Sequence, residues 1–246
     1  METIILAGGL GTRLRELNSN LPKSMMPIGN VPFLELLLDQ LNKMEISRVI
    51  LAVGYKKNII KEYFKTQYKN IELVYSEETE PLGTGGAIKK AVELTNEEYV
   101  FVFNGDTFFD IDLREMYKYH LSKKCDITIA TKEMEEFDRY GSLMINVDNE
   151  ILGFQEKQYK KKGIINGGIY LFNPQIMNQM DKKIFSFEKD FLENENIILK
   201  KYSYLNNNYF IDIGIPDDYF RFKKLIESKG IKKEKNLGCI NYYSKL

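Results

Sequence analysis

Leu6-Ala7-Gly8-Gly9-Leu10-Gly11-Thr12-Arg13-Leu14-Arg15-Glu16 decides how this chain is read. The run leading into it, Thr3-Ile4-Ile5-Leu6-Ala7, is short and apolar, the pattern of a buried strand. It breaks into Gly8, Gly9 and Gly11, followed by Thr12 and Arg13. A strand that ends in glycines leaves backbone N–H groups bare, with no Cβ to keep a ligand away. Such a turn can wrap phosphate oxygens, and the planar guanidinium of Arg13 adds a matching cation. Further on, Leu21-Pro22-Lys23-Ser24-Met25-Met26-Pro27 holds a second cation between two prolines that stiffen the backbone. Together the two segments read as a nucleoside triphosphate cradle with two fixed positive charges.

Two better-known glycine loops do not fit. The dinucleotide pattern G-x-G-x-x-G would start at Gly9 and Gly11, but position 14 is Leu. The P-loop needs Lys directly after Gly, and Lys23 follows Pro22.

Working outward, the chain of 246 residues suits one α/β domain, or one with a small appendage. Its formal net charge is zero, so no global field favours nucleic acid or an anionic membrane, and any anion site is local. The longest apolar runs are strand-length, too short to span a bilayer. The first strand follows Met1 directly, so no secretory leader and a cytoplasmic location are expected. Cys125 and Cys239 are too few for a disulfide scaffold. The single histidine, His120, lies in a helical stretch rich in Tyr and Lys and reads as a surface residue. Carboxylate oxygen is then what remains for a metal, which suits Mg²⁺.

The first half alternates strand and helix. Strands are expected at 3–7, 47–54, 71–75 and 99–103, and helices at 33–44, 57–68 and 87–94. The 99–103 run, Tyr99-Val100-Phe101-Val102-Phe103, is nearly all apolar and reads as a central strand buried on both faces. This alternation predicts a mostly parallel sheet with helices on both sides, and ligands in such sheets bind beyond the carboxyl ends of the strands. The loops after Ala7, Tyr75 and Phe103 then share one edge. In the second half, strands are expected at 126–130, 141–147, 151–156, 164–172, 197–204 and 209–213. Helices are expected at 187–195 and 217–228, the last opened by Pro216. We read 1–228 as one domain, with a nucleotide-binding half at 1–112 and an acceptor-binding half at 113–228, followed by a loose basic tail at 229–246.

Asp106, in Asn104-Gly105-Asp106, and Asp212, in Asp212-Ile213-Gly214, each end an apolar strand beside a glycine. Two carboxylates so placed can converge on one divalent cation, or each can cap a turn. Asp110 lies in a strand-like run, and Asp112 reads as the N-cap of a helix. Glu156-Lys157 follows a hairpin arm and by itself is as well read as an exposed ion pair. The glycines of Asn166-Gly167-Gly168, inside an apolar run, signal either close approach of a ligand or a β-bulge. Glu80-Pro81-Leu82-Gly83-Thr84-Gly85-Gly86 opens a helix, and its position favours a base and ribose.

Ala7-Gly8-Gly9-Leu10-Gly11-Thr12-Arg13-Leu14 with Pro22-Lys23 resembles the N-terminal motif of the sugar-1-phosphate nucleotidylyltransferases. The resemblance continues through residues 80–86, Asn104-Gly105-Asp106, Glu156-Lys157, Asn166-Gly167-Gly168 and Asp212-Ile213-Gly214, nearly the whole chain. It looks nearest to a guanylyl-transferring branch that acts on a heptose 1-phosphate and serves capsule or surface polysaccharide biosynthesis. The resemblance implies a Rossmann-like three-layer nucleotidyltransferase fold, α/β with a central mixed, mostly parallel sheet. It implies GTP and a sugar 1-phosphate as substrates and Mg²⁺ as cofactor. Nucleic acid and membrane are not expected partners, and a homodimer is compatible with the reading. Carried onto this chain, the nucleotide is met by Leu6, Ala7, Gly8, Gly9, Gly11, Thr12, Gly83, Thr84, Asn104 and Gly105. Glu78 or Glu80 accepts from the guanine edge. The metal falls to Asp106 and Asp212, the sugar to Glu156, Asn166 and Gly167. Arg13 holds the leaving pyrophosphate, Lys23 the nucleotide phosphates and Lys157 the attacking phosphate. A uridylyl or cytidylyl transferase and a catalytically silent nucleotide-sugar sensor remain as alternatives.

Losing one charge-stabilising contact typically costs about 3–4 kcal/mol of activation free energy. Lys23→Ala and Asp106→Ala are therefore each expected to cut turnover roughly a hundredfold or more with the fold intact. Steady-state pyrophosphate release together with circular dichroism checks this; near-normal turnover in either variant removes the assigned role.

Overall fold

The computed structural model describes residues 1–9, 14 and 20–228. In chain order come β1 (Glu2–Leu6), a 3-10 turn (Lys23–Met25), β2 (Pro27–Ile28), β3 (Val31–Pro32), α1 (Phe33–Lys43), β4 (Arg48–Val53), α2 (Lys57–Phe64), β5 (Gln67–Tyr68), β6 (Ile71–Glu77), α3 (Gly83–Val92) and β7 (Val100–Asn104). The second half adds β8 (Thr107–Phe109), α4 (Leu113–Lys123), β9 (Ile127–Phe137), β10 (Ser142–Ile145), β11 (Ile151–Gln155), β12 (Lys160–Phe172), β13 (Lys201–Leu205), β14 (Phe210–Asp212) and α5 (Pro216–Ser228). No helix among the described residues is long and apolar enough to cross a membrane.

One ten-stranded sheet runs through both halves in the order β11-β10-β12-β7-β1-β4-β6-β5, with β9 paired to β12 and β13. β7, β1, β4 and β6 are parallel, and β12 joins them antiparallel along β7. The chain runs from β1 outward to β4 and β6, then returns to the far side of β1 as β7. That reversal is the switch point where open α/β sheets bind ligands.

Alternation along the strands divides the core into two layers. Ile5, Leu51, Phe101 and Phe103 join α1, α2, α4 and α5 on one face. Ile4, Ile50, Val100 and Val102 join α3 and the segments around Ile176 and Phe187 on the other. Burial on both faces is why the 99–103 run reads as continuously apolar. Asp112 caps α4 as expected, its carboxylate accepting from the N–H groups of Arg114 (2.8 Å) and Glu115 (3.2 Å).

Several expected bounds shift for local reasons. α2 ends at Phe64, not Tyr68, because Lys65 takes φ +53° and the chain turns into β5, which pairs with β6. α3 begins at Gly83 rather than Ala87, so its glycines lie inside the first turn. β9 runs on to Phe137, β13 begins only at Lys201, and Phe187–Leu192 winds as a π-helical turn.

The expectation for His120 is overturned: it is 1% exposed, packed edge-on against Tyr99 at 5.0 Å. Its Nδ1 lies 2.8 Å from Thr128 Oγ1, and Nε2 has no partner among the described residues. Leu113, Met116, Tyr117 and His120 fall at helical spacing on one face. That stripe, rather than the surrounding Lys and Tyr residues, decides where the imidazole goes. Burial lowers its pKa to about 4 from 6.5. Between those values the unfolded chain binds the proton and the folded chain does not, so stability is full above pH 6.5 and falls as pH drops toward 4. Urea unfolding at pH 7 and pH 5 is expected to show a loss of about 2 kcal/mol that His120→Gln removes.

Candidate active site

A cleft of about 580 Å³ opens at the carboxyl ends of β1, β4, β6 and β7. Leu6, Ala7, Gly8 and Gly9 form one wall, and Asn104, Gly105 and Asp106 the next. Glu78, Glu80, Gly83 and Thr84 line the opposite side. The close approach of β1 and β7 depends on Gly105: its N–H donates to Leu6 O at 3.1 Å, and a Cβ there would lie 2.3 Å from that oxygen. Gly11, Thr12 and Arg13, expected in the same loop, lie outside the described residues, as do 229–246.

A second cavity of about 320 Å³ adjoins the first, with Asn104 lining both. Glu156, Lys157, Asn166 and Asp212 line it, as do Arg139, Tyr140 and Glu188. Asn166 sits at an irregularity in the β9–β12 register between Asn166 and Tyr170. Gly168 there adopts φ +71°, with Asn166 Oδ1 accepting from its N–H at 2.9 Å. The bulge and the cavity wall are thus one feature. Gly167 faces away from the cavity: a Cβ on it would meet the Phe109 ring and Ala130 O.

Asp106 and Asp212 are brought together by a ribbon. β8 and β14 pair antiparallel with Asp212 opposite Thr107, and Ile213 N–H donates to Asp106 O at 2.9 Å. Lys23, held in its 3-10 turn between Pro22 and Pro27, reaches both carboxylates. Its ammonium donates to Asp106 Oδ2 and lies 3.7 Å from Asp212 Oδ1. The expectation for Lys23 named the nucleotide phosphates and did not foresee its contact with these carboxylates. Burial, and next the Asp106 charge, push the Asp212 carboxyl above the usual range, while Lys23 opposes them. Burial and then the Asp212 charge raise the Tyr140 phenol to about 12.

Two carboxylates that crowd each other and share one ammonium make a donor set suited to a hard divalent ion such as Mg²⁺. No third His, Cys, Asp or Glu joins them among the described residues. Further ligands would then come from substrate oxygens and water. Asp110 and Asp112 line neither cavity.

The glycines of the 80–86 segment make room for a neighbouring segment, its backbone at Gly83 and Gly86 and the Phe185 ring at Gly85. A Cβ on Gly83, Gly85 or Gly86 would lie 2.1–2.5 Å from Phe185 or Lys183 atoms. Phe185 N–H donates to Leu82 O at 3.0 Å, and Gly85 N–H to Phe185 O at 3.0 Å. Glu80 is half-exposed and paired with Lys183, whereas Glu78 sits inside the cleft with Oε2 on the Leu82 N–H at 3.0 Å. Residues 183–189 were not singled out in sequence, and neither were Tyr55 and Arg139. Tyr55 follows Gly54 at the end of β4, on the same sheet edge as the other loops, a signal that reasoning from strand ends could have used.

The nucleotidyl transferase family model matches residues 2–229. A D-glycero-α-D-manno-heptose 1-phosphate guanylyltransferase of Aneurinibacillus thermoaerophilus is 51% identical over 92% of this chain and 99% of its own length. That of Campylobacter jejuni is 48% identical over 90% and 98%. The crystal structure of HddC from Yersinia pseudotuberculosis complexed with GMP-PN superposes with a TM-score of 0.83 at 37% identity, covering 92% of this chain and 99% of the other.

Gly105→Ala is expected to cost about 3 kcal/mol, because its methyl meets backbone that cannot give way. Gly9→Ala, whose Cβ meets no described atom within 4 Å, should stay within about 0.5 kcal/mol of the parent. Chemical denaturation of the two variants makes the comparison.

Proposed function

The chain belongs to the nucleotidyl transferase family, and from that premise we propose that it transfers GMP from GTP to D-glycero-α-D-manno-heptose 1-phosphate, giving GDP-heptose and pyrophosphate. The observation that carries this reading is the junction of two cavities at Asn104, with Asp106 on one side, Asp212 on the other and the Lys23 ammonium between them. Two relatives named for this reaction, matched over nearly their full length, support the choice of base and sugar.

An oxygen of the acceptor's phosphate attacks the α-phosphorus and forms the new P–O bond. The bond from that phosphorus to the α,β-bridging oxygen breaks, and its electron pair leaves on pyrophosphate. The nucleophile is already anionic, so no general base is required. The barrier is the mutual repulsion of two polyanions and the need for in-line approach.

Lys157, in the wall of the second cavity, holds the acceptor phosphate while Glu156 and Asn166 meet sugar hydroxyls. Lys23 exchanges part of its hold on the carboxylates for the nucleotide phosphates, and Arg13 binds the departing pyrophosphate. Glu78, inside the cleft, is better placed than Glu80 to accept from the guanine edge. Asp106 and Asp212 would hold Mg²⁺, which supplies positive charge against the phosphoryl oxygens when bound. We place the reaction in the cytoplasm, with the product feeding glycosyl transfer into a capsule or surface polysaccharide.

Pyrophosphate release from the purified protein, measured across four nucleoside triphosphates and a panel of sugar 1-phosphates, is the test. Release with GTP and the heptose 1-phosphate at least tenfold above any other pair is expected. Release only with UTP or CTP overturns the base, and release with no pair favours a silent sensor.

A further inference from the structure

The two cavities are joined by side chains as well as by position. Thr84 stands in the first turn of α3, on the wall of the nucleotide cleft. Its hydroxyl donates to Glu188 Oε2 at 3.0 Å and accepts from the Phe187 N–H at 2.8 Å. The other carboxylate oxygen of Glu188 accepts from the Tyr170 hydroxyl at 3.0 Å. That hydroxyl in turn accepts from Asn166 Nδ2 at 2.9 Å. Asn166 and Glu188 both line the second cavity, and Tyr170 is fully buried between the layers.

Glu188 is therefore the one acceptor that both donors share. Water does not reach the buried Tyr170 phenol, so its links to Glu188 and Asn166 are costly to break, whereas the Thr84–Glu188 bond lies at the surface. The backbone on either side is equally tight: the glycines that follow Leu82 let residues 183–187 approach where a Cβ would collide. Hydrogen bonds and close packing thus tie the wall of one cavity to the wall of the other.

We propose that Glu188 is a positioning residue that couples the two substrate sites, so that filling the nucleotide cleft orders the acceptor cavity through Thr84, Glu188, Tyr170 and Asn166. This rests on the reading of the two cavities as nucleotide and sugar-phosphate sites. By linkage the coupling is reciprocal, each substrate raising affinity for the other by the same factor. A carboxylate is suited to the node because its two oxygens accept from two hydroxyls on opposite sides and need donate to neither.

The test uses the full chain with the α,β-methylene analogue of GTP, which cannot release pyrophosphate. Calorimetry gives the dissociation constant of the heptose 1-phosphate with the analogue absent and saturating, and the ratio of the two is the readout. That ratio does not depend on what a substitution does to nucleotide affinity itself. A ratio of roughly five or more is expected for the parent. It should fall below about two in Thr84→Val, Glu188→Ala and Tyr170→Phe, and return in Thr84→Ser, which keeps the hydroxyl. A parent ratio near one overturns the proposal, as does an unchanged ratio in the folded Thr84→Val protein. A parent that binds neither ligand overturns instead the assignment of substrates on which the proposal stands.

Discussion

The Lys23 ammonium, set between the carboxylates of Asp106 and Asp212, is the interaction on which the junction of the two cavities turns. Two acids at the ends of a short ribbon repel each other, and partial burial with the Asp106 charge beside it disfavours Asp212 as a bare anion there. One cation from a proline-flanked turn makes the arrangement tenable. It also fixes the seam of the molecule, because Asp106 belongs to the cleft beside β1 and Asp212 to the cavity beside β12. The site is thus a junction of two chambers held by charge, built on a sheet that runs unbroken through both.

Much of this was legible because strand ends in parallel sheets share an edge. Gly8, Glu78 and Asn104-Gly105-Asp106 could be assigned to one cleft from hydrophobic periodicity and loop position alone. Asp212 could be matched to Asp106 only by chemistry and resemblance. The pairing of β8 with β14, which brings them together, joins two three-residue strands too short to leave a periodic pattern. The continuously apolar 99–103 run told of burial on both faces, and the two-layered core bears that out.

What was not legible has physical reasons of its own. A glycine states that something comes close and does not state what. At Gly105 the neighbour is the β1 backbone, at Gly83, Gly85 and Gly86 it is the 183–187 segment, and at Gly167 it is the Phe109 ring. Only the partner's position separates a ligand-approach glycine from a packing glycine, and that position is a tertiary fact. His120 misled differently: the polarity of its sequence neighbours spoke for solvent, while its place on the Leu113–Met116 face spoke for the interior. Glu188 lies in a π-helical turn with no recognisable period, and its partners Thr84 and Tyr170 are far away in sequence.

In the ribbon, Asp212 sits on β14, the last strand among the described residues, followed there by α5. Asp106 and Lys23 emerge from the ribosome long before it. A partly synthesised copy can hold every strand that lines the glycine-rich cleft and still lack the second acid. The order in which the strands are made therefore sets when the two acids can first meet.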